Sequence, residues 1–568
     1  MKKLINDVSA VVPEMLDGLA ALNPGLSLLQ GGTIIVRADG ESAARRGEVA
    51  LISGGGSGHE PAHAGYVGPG MLSAAVAGEV FTSPSTDAVL DAIRAVAGPA
   101  GVLLIVKNYT GDRFNFGLAA EIARAEGIAV EMVIVADDVA LSASGEHAGR
   151  RGLAGTVLVH KIAGAAAAEG RPLNEVAQAA REAAAMLGTM GVALTPCTVP
   201  AAGKAGFELA DGEIEWGLGI HGEPGVERGA LEPADAIVAR LLTRIVDDLA
   251  LPADARVALL VNNLGGTPQS ELNIVAASAL RFLAARSIGV ERAWAGTFLS
   301  ALEMAGVSLT LLRLDDQRLA WLDAAAHTSA WPALNGRVAQ ASVKDVPVVP
   351  KDTNGARLAR ESALRHVIEA VCACLIEAEP VLTEMDQRVG DGDLGISLAR
   401  GARGILHEID TYPSETTPGT VLRAVSATVR RVVGGTSGPL YAVMLLRAGS
   451  VLDQSSEAAA AKRWAEAFSA GVGALMELGG AHPGDRTMVD ALLPAVDALR
   501  AALAQSAGAD AALQAAVDAA ASGAAQTASM SPRLGRSSYV GKRALGFADP
   551  GAHAVALWLV AIRGALPR

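Results

Sequence analysis

The chain has 568 residues, 51% of them hydrophobic and only 3% aromatic, with a formal net charge of −13. That length calls for more than one core, and a mean hydropathy of +0.33 argues against disorder. A pI near 5.3 speaks against a general nucleic-acid binder, because phosphate backbones are held chiefly by Lys and Arg, although amides or a metal can neutralise a small phosphate ligand.

The opening segment MKKLINDVSAVVPEML carries Asn6 and Asp7, which interrupt any apolar signal-peptide core, and no run long enough to span a membrane follows. Up to about residue 325, short apolar runs alternate with Ala-rich stretches. VALIS (49–53), GVLLIVK (101–107), AVEMVIVAD (129–137), RVALLVNN (256–263) and SLTLLRL (308–314) read as buried, parallel-type strands. Between them, 115–126, 172–188 and 271–286 read as helices, so the first part is an α/β domain over 1–326. The stretch 327–356, with Pro332, Pro347 and Pro350 and no sustained period, reads as a linker. Helical spacing then dominates 357–568: 357–380, 396–409, 418–432, 456–478, 486–504, 509–530 and 551–564. This part is an all-helical domain with glycine-rich loops. Cys197, Cys372 and Cys374 form no disulfide framework, which fits a reducing, cytoplasmic setting.

Two matches to GxGxxG, at 217–222 and 390–395, are poor dinucleotide fingerprints. The first holds His221 where pyrophosphate would approach, the second holds Asp391 and Asp393, and neither opens a βαβ unit. No GxxxxGK[ST] loop is present. LISGGGSGHEP (51–61) runs a strand into glycines, whose amides suggest an oxygen-binding nest, and delivers His59. KNYTGDR (107–113) places Lys107 and Asp112 at the carboxyl end of a strand, where ligands of α/β sheets bind. In GLGIHGEPG (217–225), glycines give His221 clearance toward a ligand. Asp386, Asp391 and Asp393 lie within DQRVGDGD; Gly390 and Gly392 allow them to converge, and oxygen-only ligation suits Mg²⁺ or Ca²⁺. GGTSGP (434–439), GGAHPGDRTM (479–488) and DPGA (549–552) each precede a helix whose N-terminus can face an anion. His63, His147, His160, His327, His366, His407 and His553 lack metal-type spacing and read as structural or surface residues.

Together these motifs, with GEVFTSPS, GTVLVHKIAG, NNLGG, GGTSGPLY and GRSSYVG, resemble the single-chain, ATP-dependent form of the dihydroxyacetone kinase family over essentially the whole chain. The resemblance implies an N-terminal α/β substrate-binding domain and a C-terminal all-α helical-barrel nucleotide-binding domain. It implies that His221 bonds covalently to the substrate carbonyl as a hemiaminal, with His59 and Asp112 as the acid/base pair. Gly56, Ser57, Gly58 and Lys107 are then expected to contact the substrate, and Asp386, Asp391 and Asp393 to hold Mg²⁺ on the ATP phosphates. Leu394, Gly395, Ile396, Ser397, Thr436, Ser437, Gly480, Met488, Arg536, Asp549, Pro550 and Gly551 match nucleotide contacts. The expected substrate is dihydroxyacetone, with erythrulose or glyceraldehyde as rivals; the expected assembly is a homodimer, with no nucleic acid or membrane partner. Two other readings of the same architecture are a lyase that cyclises FAD and a non-catalytic triose sensor.

Overall fold

The computed structural model describes residues 2–40, 43, 47–141, 149–334, 336–339, 343–346, 356–414, 418–454 and 460–566. His147 and much of the expected linker, including Pro347 and Pro350, lie outside the described residues. The chain divides into two compact units, Met1–Lys344 and Asp345–Arg568.

The first unit holds two six-stranded sheets. One contains β1 (Leu26–Leu28), β2 (Ile34–Arg37), β3 (Ala50–Ser57), β4 (Ala74–Val80), β5 (Val102–Lys107) and β6 (Val130–Val135), in the order β1-β2-β4-β3-β5-β6. The other contains β7 (Leu187–Ala193), β8 (Glu213–Trp216), β9 (Glu227–Ala230), β10 (Arg256–Asn263), β11 (Gly289–Gly296) and β12 (Gly306–Arg313), in the order β11-β10-β12-β7-β8-β9. The helices of this unit are α1 (Val11–Leu22), α2 (Thr86–Val96), α3 (Thr110–Ala125), α4 (Thr156–Ala168), α5 (Leu173–Ala185), α6 (Ala234–Asp248), α7 (Gln269–Ala285) and α8 (Asp316–Asp323).

The inner strands β3, β5, β7, β10 and β12 are buried almost throughout because both faces of the sheet are covered there, whereas the edge strand β9 is largely exposed. On β5, Leu104 and Val106 pack with Phe116 and Ala119 of α3, whereas Leu103 and Ile105 face a central core shared with α4 and α5. On β10, Ala258 and Leu260 join that same core, and Val257, Leu259 and Val261 pack against Leu242 and Ile245 of α6. Helix α4, sandwiched in the middle, is buried from Thr156 to Ala167.

Only the first sheet has the expected parallel centre, with β3 parallel to β4 and β5, and β5 to β6. In the second, β12 runs antiparallel to both β10 and β7, and only β10 and β11 are parallel. A doubly covered strand is apolar whatever the direction of its neighbour, so direction left no trace in the pattern. The helix expected over 172–188 ends at Ala185 because Leu187–Ala193 is β7, and that expected over 115–126 begins at Thr110, which puts Asp112 in its first turn. Part of the stretch read as a linker is seated on the first unit: the His327 and Ala330 amides donate to the Pro69 and Gly65 carbonyls, and Trp331 packs on Trp294 at 5.1 Å.

The second unit contains helices and no strands among its described residues: α9 (Ala363–Glu377), α10 (Glu379–Val389), α11 (Leu394–Glu408), α12 (Pro418–Val432), α13 (Ser437–Gln454), α14 (Ala460–Gly479), α15 (Val489–Ala504), α16 (Ala509–Gln526), α17 (Ser537–Val540) and α18 (Pro550–Ala565). Helix α10 lies almost wholly outside the ranges read as helical, whereas α13 is the helix that GGTSGP was expected to precede, beginning at Ser437 inside that motif. The helices enclose an apolar cavity of about 650 Å³, lined in part by Val371, Leu375, Val425, Tyr441, Phe468 and Trp558.

Candidate active site

The glycines of the GGGS run do not form a nest; they prolong β3, with Gly54, Gly55 and Gly56 paired opposite Val76, Ala77 and Gly78 of β4. What they provide is clearance. A Cβ at Gly55, whose φ is +147°, would stand 2.7 Å from Lys107 Nζ and 3.4 Å from an Asp112 carboxylate oxygen; one at Gly56 would stand 2.6 Å from the Thr82 amide. The Ser57 hydroxyl donates to the Gly78 carbonyl of β4 at 2.7 Å, and the Gly58 amide donates to the Glu60 carboxylate at 3.0 Å, so both groups are engaged by the protein itself.

His59, fully buried, is 2.8 Å from the Ser300 carbonyl through Nδ1. A carbonyl only accepts, so Nδ1 carries the proton and Nε2 keeps a lone pair; that Nε2 is buried and has no protein partner. Burial, reinforced by His221 and Lys107, holds this imidazole well below the ordinary histidine range, in its neutral form. Asp112 is buried in the first turn of α3, where burial raises its carboxyl and Lys107 opposes the rise; its Oδ1 is likewise buried without a partner. Lys107, the last residue of β5, is fully buried; burial pushes its amine down, opposed by Asp112 and Asp137.

His221 closes the constellation. Its ring lies 4.9 Å from that of His59, 4.5 Å from Tyr109 and 5.4 Å from Phe81, meeting each edge-on, while Phe81 stacks on His59 at 5.1 Å. Burial pushes the His221 imidazole down to about 4, against the pull of the Glu223 carboxylate. The turn is fixed by a clamp. Glu223 accepts from the His221 amide at 2.8 Å, and Arg151 donates to Glu223 at 3.2 Å, to the Gly217 carbonyl at 2.7 Å and to the buried Asp138 at 2.7 Å. Two histidines with free lone pairs, a carboxylate and an amine thus converge on one space floored by glycine, an arrangement suited to proton transfer and nucleophilic addition.

In the second unit, Asp386, Asp391 and Asp393 offer ligand oxygens all within 4.8 Å of one another. Asp386 is buried in the last turn of α10 and accepts from the Leu394 amide at 3.2 Å, tying the cluster to the N-terminus of α11, which carries Gly395, Ile396 and Ser397. A Cβ at Gly390 would stand 2.4 Å from Asp386 Oδ1, so glycine lets the loop fold back onto that carboxylate. Arg536 pairs with Asp391 and, at 3.3 Å, with Asp393. Its guanidinium also comes near Gly435, beside Thr436 and Ser437 at the start of α13. Asp549 caps α18 by accepting from the Ala552 amide at 2.8 Å, followed by Pro550 and Gly551, and Gly551 adjoins Met488 at the start of α15. Burial raises Asp549 to about 6, with Asp490 and Asp386 among its charged neighbours. Gly480, with φ +68°, forms the turn after α14 that leads to Met488. Three hard oxygen donors fit Mg²⁺ rather than a soft metal, and the helix N-termini around them fit phosphate.

A Dak1 domain matches residues 17–330 and a DAK2 domain residues 388–564. A Solanum lycopersicum protein provisionally named a 3,4-dihydroxy-2-butanone kinase is 45% identical over 579 residues, covering 98% of this chain and 97% of its own length. Human triokinase/FMN cyclase is 44% identical over 577 residues, covering 99% and 98%. The chain belongs to the dihydroxyacetone kinase family. A solved structure, the dihydroxyacetone kinase from C. freundii in complex with AMP-PNP and Mg²⁺, aligns over 100% of both chains with a TM-score of 0.65 and 38% identity. Within a dihydroxyacetone kinase frame, several neighbours of the site had no reading in the sequence. Arg151 lies in no motif, and its partner Glu223, 72 positions on, sits inside GLGIHGEPG, where only His221 stands out as reactive. His63 follows His59 by four positions, but Pro61 lies between them and precludes a helix there, and the two rings address different partners. His63 and His160, read as structural or surface, are buried beside Lys107.

Proposed function

We propose that this chain is an ATP-dependent kinase that phosphorylates dihydroxyacetone, capturing it at His221. Family membership supports the reaction class, and one observation supports the residue roles: His59 Nε2 and Asp112 Oδ1 are both buried without a protein partner around the glycine floor that faces Lys107. Buried polar atoms are otherwise bonded, and a small hydroxyketone supplies the missing donors and acceptors. One ring nitrogen of His221, neutral because burial depresses it, adds through its lone pair to the carbonyl carbon. The carbonyl oxygen takes up a proton as the other ring nitrogen releases one, leaving a neutral hemiaminal. Polyols lack the electrophilic carbon, so this capture discriminates where a small polar ligand offers little apolar area. It also fixes the terminal hydroxyl, whose proton passes to His59 or Asp112 as the oxygen attacks the γ-phosphorus, the bond to the β–γ bridging oxygen breaks and ADP leaves. Asp386, Asp391 and Asp393 would hold Mg²⁺, which supplies charge neutralisation on the ATP phosphates.

The test is ATP consumption by the purified protein with dihydroxyacetone, erythrulose, 3,4-dihydroxy-2-butanone, glyceraldehyde and glycerol at equal concentration. Turnover with dihydroxyacetone and none with glycerol is expected; inactivity toward every carbonyl sugar would sink the proposal. The four-carbon ketones are included because a 45%-identical relative carries such a name, and an arm with FAD and Mn²⁺ probes cyclisation. Light scattering tests the homodimer. Among the described residues no helix is long and apolar enough to cross a membrane.

A further inference from the structure

We propose that His63, backed by His160, is a positioning residue that holds the Lys107 amine at the sugar site. The inference rests on the functional reading above and adds two residues to it. Lys107 Nζ lies 2.8 Å from His63 Nε2, and His63 Nδ1 lies 2.9 Å from His160 Nε2; all three side chains are fully or almost fully buried.

The direction of this chain is set by its neighbours. The Ser53 hydroxyl donates to the Ile105 carbonyl at 2.7 Å, so toward His63 Nδ1, 3.4 Å away, its oxygen can only accept. Nδ1 of His63 therefore carries the proton and donates to His160 Nε2. His63 Nε2 is then the acceptor for an N–H of Lys107, and the His160 proton sits on Nδ1, which has no protein partner. Burial keeps both histidines neutral, with Lys107 adding to the effect. They thus present a fixed acceptor without adding a second cation.

An amine on a four-carbon stem is otherwise free to swing. With one N–H fixed on His63, the others are left for the glycine floor at Gly55 and for Asp112. An acceptor bonded to the charged form also offsets the burial that pushes this amine down. The charged and titratable groups facing Lys107 are Asp112 on α3, Asp137 after β6, His63 after β3, His160 on α4, and His59 and His221.

The test uses the full chain with His63→Leu, His63→Gln, Lys107→Met and the double variant His63→Leu/Lys107→Met. Loss of the acceptor is expected to lower kcat/KM for the sugar by ~10-fold or more, with KM for ATP unchanged, and to move the alkaline limb of the profile to lower pH. His63→Gln, whose amide oxygen accepts, recovers most of the loss. Because the effect runs through Lys107, the double variant is no worse than Lys107→Met alone. In parallel, lysine labelled with ¹³C at Cε, assigned through Lys107→Met, is titrated by NMR; the Lys107 signal titrates at lower pH in His63→Leu. This arm needs no substrate, so it decides the inference even if the sugar assignment fails. His160→Gln, a milder change, carries the same NMR test should His63→Leu not fold. An unmoved Lys107 titration, or additive losses in the double variant, overturns the proposal.

Discussion

Replacing Arg151 by Leu tests whether the capture turn is held from behind. The Asp138 side chain is fully inaccessible, and even with Arg151 beside it burial raises its carboxyl from 3.8 to about 6. That step corresponds to ~3 kcal/mol. A carboxyl whose folded value is raised costs stability progressively as pH rises from its unfolded value, 3.8, to its folded one, about 6, and in full above that. Without Arg151 the value climbs further, so the added loss belongs above pH 6 and fades as Asp138 is protonated below it. Breaking a buried pair by removing one partner costs about 3–5 kcal/mol. We therefore expect Arg151→Leu to lose ~3 kcal/mol at pH 8.5, and at pH 5.5 only the ~1 kcal/mol of lost neutral hydrogen bonds. The variant also releases Glu223 and the Gly217 carbonyl, so kcat/KM for the sugar should fall by ~10- to 100-fold, as a misplaced reacting group does. Denaturant unfolding at the two pH values, alongside sugar kinetics at pH 7.5, reads both effects. Equal destabilisation at both pH values with unchanged kcat/KM would refute the clamp.

His221→Ala should abolish the sugar adduct in native mass spectra and lower kcat/KM by ~10³ or more while leaving nucleotide binding intact. Because burial brings the imidazole down to about 4, the wild-type adduct should persist as pH falls from 7 to 5.5 and be lost only as pH approaches 4; loss centred near 6.5 would contradict the neutral-imidazole reading. Asp386→Asn should weaken Mg²⁺ binding at least ~10- to 100-fold, measured by Mn²⁺ competition, since even groups one step removed from a metal cost that much. Gly55→Ala, forced against Lys107 Nζ at a φ of +147°, should cost ~1–3 kcal/mol of stability and lower turnover; a neutral outcome would show that the amine yields freely.

The division into α/β and helical parts was legible because periodicity changes from strand runs to helical spacing after residue 325. Residues gathered by short loops were legible too: Asp386, Asp391 and Asp393 converge as glycine spacing suggested. Strand direction in the second sheet was not, since Leu309 and Leu311 are buried whichever way β10 runs. The helix after GGTSGP was legible from that turn, but its start at Ser437 was not, because the glycines that signal the turn overlap the first helical residues.

The least legible part is the support behind each reacting group, and the reason is geometric. A motif records residues that touch one ligand from one loop, whereas a support comes from whichever element packs behind it. Ser300 fixes the His59 tautomer from 241 positions away, and His160 reaches Lys107 through His63 from a helix whose motif, GTVLVHKIAG, gives that histidine no partner in sequence. The substrate domain needs both kinds of residue. Glycines at 55, 56 and 222 remove side chains where the site must be open, and openness alone would leave the Lys107 amine and the His221 ring unconstrained. The buried histidine pair and the Arg151 clamp supply that constraint, one acting on the amine and the other on the ring. Arg151→Leu and His63→Leu should accordingly fail differently, the first by losing the adduct, the second by keeping the adduct with a misplaced amine beside it.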